Sequence, residues 1–332
     1  MSRNGYDGFQ IQNLENAAMI QVRAPSRLHF GLLSLPATEG LWARQFGGVG
    51  LMVEEPGVRV SLQSAENWSA EGPLAERALA YAKKIALSLS SPHRFHLKVE
   101  ASAAEHVGLG TGTQLGLAVA RAFALACGHE KLDGVELACR LARGKRSALG
   151  IYGFDRGGFL VEGGKGPNST IAPLIAHCHF PEDWRIVLIV PKGEMGNYGI
   201  AEEEAFARLK CGPADALCRL VLLGMLPALV EVDLPAFGEA LYEFNRRVGE
   251  VFRPIQGGIY AHPRSAAIVE FMRGQRISGV GQSSWGPAMF AIVESDRAEA
   301  LAGVLREHFN FSPAEVVMTR ASKTGAEVME IA

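Results

Sequence analysis

The stretch "HVGLGTGTQLGLAVARAFALA", residues 106–126, constrains this chain more than any other. Gly108, Gly110 and Gly112 remove side chains where the backbone must turn tightly or lie close to another group. Thr111 and Thr113 place hydroxyls among them. From Gln114 onward, Leu115, Leu117, Ala118, Ala122, Leu125 and Ala126 predict a helix buried on several sides. A glycine loop opening such a helix turns unpaired N–H groups and the positive end of the macrodipole toward one point, which makes an anion site. The plainer reading is a helix start capped by Thr111 or Thr113. Two better-known phosphate signatures are absent. No Lys-Ser/Thr pair closes the loop, and its G-x-G-x-G spacing follows polar "ASAAEHV" rather than a buried strand, which argues against a dinucleotide fold.

A helix this apolar needs a core around it. With 332 residues, 48% of them hydrophobic, the chain can bury two such cores. Strands are expected at 19–22, 28–35, 57–62, 94–101 and 157–164, with helices over 73–89, the glycine-loop helix, and 134–150. The polar, proline-containing "HCHFPEDW" (177–184) is the best boundary. Beyond it come a buried strand at 184–191, helices between 200 and 252, a helix at 262–274, strands at 276–282 and 287–294, a helix at 295–308 and a strand at 314–320. Strands and helices mix without βαβ alternation, so the expected class is α+β in two lobes, 19–182 and 183–332, after a loose tail at 1–18.

Four further clusters are too polar or too glycine-rich for plain core or loop. "APSRLHFGLL" (24–33) puts Arg27 and His29 on one strand face, where they clamp a phosphate or carboxylate or snorkel at an edge. "QFGGVGLMVEEP" (45–56) reads as a glycine-rich turn. "RGKRSALG" (143–150) offers Arg143, Lys145 and Arg146 as a phosphate clamp or as a solvated helix end. "GVGQSSWGPAMF" (279–290) sets Gln282, Ser283 and Ser284 beside Trp285, which either seals a core or forms a stacking wall with hydrogen-bond donors.

A net charge of −2 gives no electrostatic case for nucleic acid or an acidic membrane surface. Residues 1–16 are polar, and no apolar run approaches the roughly 18 residues of a membrane span. Five cysteines without a C-x-x-C argue against structural disulfides and a cysteine zinc site. His177 and His179 would share a strand face, but two histidines fall short of a metal's three or four ligands. The expected location is cytoplasmic.

"APSRLHFG", "GLGTGTQLGLA" and "GVGQSSWGP", in this order, resemble the three motifs of the GHMP small-molecule kinase superfamily. With "RGKRSALG", "RGGFLVEGG" and "QGGIY" added, the chain resembles the β-ribofuranosylaminobenzene 5′-phosphate synthase family. That resemblance implies a ribosomal-S5-like N-terminal lobe, a ferredoxin-like C-terminal lobe and a site in the cleft between them. It also implies decarboxylating transfer of phosphoribosyl from phosphoribosyl pyrophosphate to 4-aminobenzoate or 4-hydroxybenzoate in methanopterin biosynthesis, with Mg²⁺ as cofactor. An ATP-dependent small-molecule kinase and a non-catalytic phosphometabolite binder are the alternatives. Where many of the kinases carry Ser-Gly-x-Asp, this chain reads "SALGIY" (147–152), with no carboxylate until Asp155.

The roles that follow are expectations from this resemblance. Gly108, Gly110, Thr111, Gly112 and Thr113, with Arg143 and Arg146, would hold phosphates, and Thr111 or Thr113 would meet the metal. Arg27, His29 and Asp155 would be catalytic, with Glu162 a further candidate for metal or proton transfer. Gln282, Ser283, Ser284 and Trp285 would bind the aromatic substrate. The partners are these two small molecules, without nucleic acid or membrane, and a homodimer is allowed for.

Overall fold

The two apolar runs near the N-terminus join into a single strand, β1 (Met19–Leu32), because the "RAPS" between them stays extended. It pairs antiparallel with the 17-residue β2 (Gly48–Ser64). Register shifts between Ala24 and Ser26 and between His29 and Gly31 bend the pair where the polar side chains sit. The glycine-rich segment 45–56, expected to turn, is mostly strand, with Val49, Leu51, Met52 and Val53 fully buried. The structure is a computed structural model that describes residues 19–34, 44–193, 209 and 214–331. The expected tail at 1–18 lies outside the described residues.

β2 is long enough to serve two neighbours on its far side. Its C-terminal half pairs with β4 (Phe95–Ala101), which carries β3 (Ser69–Glu71). Its N-terminal half pairs with β5 (Phe159–Glu162), which carries β6 (Leu174–Cys178). Helices α1 (Ala75–Ser88), α2 (Thr111–Ala126), α3 (Gly134–Arg140) and α4 (Leu149–Arg156) form a core with this sheet, with Phe123 of α2 against Phe95 at 5.2 Å. The helix expected over 134–150 is interrupted: it stops at Arg140, the chain passes Gly144 at φ +81°, and α4 begins at Leu149. That interruption turns the basic 143–146 segment into a loop.

The second sheet has the order β10 (Val316–Thr319), β7 (Trp184–Ile189), β9 (Met289–Glu294), β8 (Gly279–Gln282), every pair antiparallel. Helices α8 (Pro263–Gly274) and α9 (Ala298–Phe309) share a core with it through Ile268, Met272, Leu301 and Leu305. Between β7 and α8 come α5 (Ala214–Leu220), a π-helical turn (Val221–Met225), α6 (Leu226–Glu231) and the 23-residue α7 (Leu234–Gln256). α7 joins the lobes: Phe237, Phe244 and Phe252 belong to one core with Phe30 of β1, Phe159 of β5 and Phe290 of β9. The chain also crosses back. A strand the sequence did not signal, β11 (Glu327–Ile331), pairs with residues 19–23 of β1, so the first sheet draws on both sides of the 182/183 boundary.

Candidate functional site

The glycine loop begins α2 without help from its threonines. Gly110 is the N-cap in the left-handed region at φ +72°, and no side chain caps the helix. The amides of Thr113 and Gln114 both reach the Gly110 carbonyl, so those of Thr111 and Gly112 precede the helix's own acceptors. Gly108 (φ +94°) has a packing reason as well. A Cβ there would strike the Ser283 carbonyl, and one on Gly286 would strike that of Val107. The two glycine loops lie back to back, tied by the Ala288 amide to the Val107 carbonyl (3.1 Å).

β1 runs past this loop and places Arg27 against it. The Arg27 amide donates to the Leu109 carbonyl at 2.9 Å. Its side chain passes within 3.5 Å (Nε) of where a Gly110 Cβ would stand and 3.7 Å (Cδ) from the same point on Gly150. A cavity of about 1000 Å³ opens here. Arg27, Arg77, Lys84, Arg143, Lys145 and Arg146 line it, and Glu105, ion-paired to Arg77, is the one carboxylate among the described lining residues. Such a surplus of cations around a helix N-terminus suits a polyanion. His29 also faces the cavity, and burial, with Arg27 beside it, holds its imidazole well below its usual range and therefore neutral.

The other end of the cavity is apolar. Phe30 and Leu32 of β1, Val248 and Phe252 of α7, Ile259 and Trp285 line it. Trp285 meets Phe252 edge-on at 4.9 Å and 85°. Asn245 fixes this end: its amide donates to the Phe30 and Gln282 carbonyls (2.7 and 2.9 Å), and its oxygen accepts from the Gln282 amide (3.0 Å). α7 lies so close to β1 that a Cβ on Gly31 would stand 2.6 Å from Val248 Cγ2. The sequence reading missed Asn245, Val248 and Phe252. Their spacing of three and four on an amphipathic helix carries no polar signature, and a mostly apolar stripe reads as core.

The structure gathers most of the expected residues around the cavity and moves some out. Arg27, His29, Gly108, Gly110, Thr111, Gly112, Thr113, Arg143, Arg146, Gln282, Ser284 and Trp285 all line it. Asp155 does not. It pairs with Arg121 (2.9 Å) and accepts the Gly134 amide at the start of α3 (2.6 Å), so its carboxylate anchors helices rather than meeting a substrate. Ser283 is fully buried between the loops, donating to the Gly108 carbonyl (2.8 Å) and accepting from the His29 amide (3.0 Å). Gln282 holds Ala261 (2.8 Å) and Ser284 (2.9 Å) by its amide group, a scaffolding task. Thr111 donates its hydroxyl to the Ala104 carbonyl (2.9 Å), and Thr113 accepts from the Arg143 guanidinium (2.9 Å). A cation so close to the Thr113 oxygen disfavours a metal ion there. Among the described residues no group of three or more His, Cys, Asp or Glu is placed to hold a metal.

Residues 225–310 match the family model for the C-terminal part of GHMP kinases. The chain is 31% identical, over 92% of its length and 97% of the relative's, to β-ribofuranosylphenol 5′-phosphate synthase of Methanothermobacter thermautotrophicus. It is 32% identical, over 93% and 99%, to the protein of the same name from Archaeoglobus fulgidus. Among solved structures it is similar to homoserine kinase of Cytophaga hutchinsonii, with a TM-score of 0.67 at 16% identity over 97% of this chain and 100% of that one.

Proposed function

Because the chain belongs to the β-ribofuranosylphenol 5′-phosphate synthase family, within the GHMP kinase superfamily, we propose that its cavity transfers phosphoribosyl from phosphoribosyl pyrophosphate to the carboxylate-bearing carbon of 4-aminobenzoate or 4-hydroxybenzoate. Carbon dioxide and pyrophosphate leave. The bond from the sugar carbon to pyrophosphate breaks with its electron pair on the leaving oxygen. The ring carbon supplies a pair to the sugar, and the pair of its bond to the carboxylate returns to the ring as carbon dioxide departs. No base is needed to strip an alcohol. That agrees with a cavity whose one described carboxylate, Glu105, is bound to Arg77.

One observation carries this reading: a single cavity is cationic at one end and aromatic at the other. The α2 N-terminus and Arg27 meet the pyrophosphate where charge builds on the leaving group, and donors fixed beforehand stabilise it there. Arg143, Lys145 and Arg146 take the 5′-phosphate. Trp285 and Phe252, packed edge-on, form a wall for the acceptor ring, and neutral His29 serves as a hydrogen-bonding group. The volume, at the upper end for small-molecule sites, suits two substrates together. Thr113 accepts from the Arg143 guanidinium, whereas Thr111 gives its proton to the Ala104 carbonyl and keeps its oxygen lone pairs, so Thr111 is the threonine that would still meet a metal. Mg²⁺ would arrive with the pyrophosphate, whose oxygens supply most of its ligands, and would neutralise charge on the leaving group.

The finer architecture is part of the same reading. The order β10–β7–β9–β8, with helices between β7 and β8 and between β9 and β10, supports a ferredoxin-like second lobe, and a ribosomal-S5-like first lobe accompanies it. The four described cysteines are all free, which supports a cytoplasmic setting. Exposed Leu222, Leu223 and Val230 give a homodimer a surface to use. The test is an incubation with phosphoribosyl pyrophosphate, Mg²⁺ and 4-aminobenzoate labelled in its carboxyl group. Labelled carbon dioxide and pyrophosphate should appear in equal amounts without ATP. Pyrophosphate without carbon dioxide, or consumption of ATP with a phosphorylated product, would overturn the reading.

A further inference from the structure

Glu162, at the end of β5, has no exposed surface and does not line the cavity, yet it lies directly behind it. Its Oε2 accepts the Ala148 amide at 2.6 Å, ahead of α4, the helix that carries Gly150 against Arg27. Its carboxyl is also reached by the Ser147 side chain, which favours the ionised form. Glu162 stands opposite Gly48 across the β2–β5 ladder. The point a Gly48 Cβ would occupy is 3.2 Å from Glu162 Oε1 and 3.2 Å from His29 Nε2. Glycine at that position lets the carboxyl and the imidazole both come up to the same point of the backbone. The groups around the carboxyl are Arg27 and His29 on β1, Ser147 and Ala148 before α4, Tyr152 on α4, and Lys165 beyond β5.

We propose that Glu162 is a positioning residue that couples binding of an anion at Arg27 to the uptake of a proton. An ionised Glu162 attracts the Arg27 guanidinium from behind and repels an anion arriving from the front. A neutral Glu162 does neither. The coupling is reciprocal, so an anion on Arg27 cancels the charge that favours ionised Glu162 and draws a proton onto it. Burial pushes the Glu162 carboxyl up to about 7, against the pull of Ser147, the Ala148 amide, Arg27 and Lys165. The exchange therefore falls at neutral pH. His29, held well below its usual range, stays neutral through the same interval. This inference rests on the anion-binding part of the proposed function and not on the reaction.

Sulfate is a suitable probe, because it does not itself titrate near neutrality. Calorimetric titration of the full chain at about pH 7, in two buffers of different ionisation enthalpy, should show a fraction of a proton taken up per sulfate bound. Sulfate affinity should fall about 5- to 10-fold between about pH 6 and about pH 8, within the usual range for coupled sites. Glu162→Gln keeps an acceptor for the Ala148 amide and should bind sulfate with one affinity at both pH values. His29→Gln should keep the wild-type slope. No proton uptake by the wild-type protein overturns the proposal, whatever the variants do. So does a slope that survives in folded Glu162→Gln, or one that vanishes only in His29→Gln. Absence of sulfate binding at both pH values removes the anion subsite and the coupling with it, while the labelled-carboxyl incubation judges the reaction separately.

Discussion

The two ends of the cavity are built in different ways. The cationic end uses the short 108–113 and 143–146 loops, Arg27 of β1, and Arg77 and Lys84 of α1. The apolar end uses one face of a 23-residue helix, where Asn245, Val248, Phe252 and Gln256 recur at helical spacing, closed by Trp285 from a distant loop. The first is held by tight loop backbone with Gly108, Gly110 and Gly144 at positive φ, the second by side-chain packing. Substitutions should therefore act abruptly at one end and gradually at the other, and each end should fail without the other.

Gly110→Val should have the largest effect. It puts a branched residue at φ +72°, with its Cβ 3.4 Å from that of Arg27, and should weaken binding of inorganic pyrophosphate at least about 100-fold. Binding of 4-aminobenzoate should survive, and parallel calorimetric titrations of both ligands check this. Equal loss of both would show that the ends are one unit. Arg27→Met comes next. Losing one charged donor should cost about 2–4 kcal/mol in kcat/KM, with little change in melting temperature. A large fall in melting temperature with near-normal turnover would make Arg27 a fold residue. Phe252→Leu should be mildest, raising the KM for the aromatic acceptor by the worth of one edge-on pair, about 0.5–1.5 kcal/mol, with the KM for phosphoribosyl pyrophosphate unchanged. A rise in the second constant instead would move the ring elsewhere.

The same contrast explains what could be read from residues alone. Positive-φ glycines and clustered charges are local, so the loop at 108–113 and the basic run at 143–146 stand out in the sequence. Arg27 and His29 stand out because they interrupt an apolar strand. Ser283, Gln282 and Asp155 were harder to place for a related reason. A polar residue next to glycines looks the same whether it faces a ligand or a backbone carbonyl, and here all three hold backbone. Nothing local distinguishes Phe252, which touches the cavity, from Phe244, which does not. The extended 45–56 segment was hidden by its glycines, which the sheet tolerates because β1 and β5 pair on both sides of it.

The return of β11 to β1 has a consequence for synthesis. A chain emerging N-terminus first presents β1 early, and its inner side can pair with β2 as soon as residue 64 is made. Its outer side waits for residues 327–331. Through most of translation the strand that carries Arg27 and His29 has an open edge at its start, the kind of edge to which other strands add. The first lobe is thus begun long before it can be closed, so a stalled chain lacking β11 is a form exposed to wrong pairing.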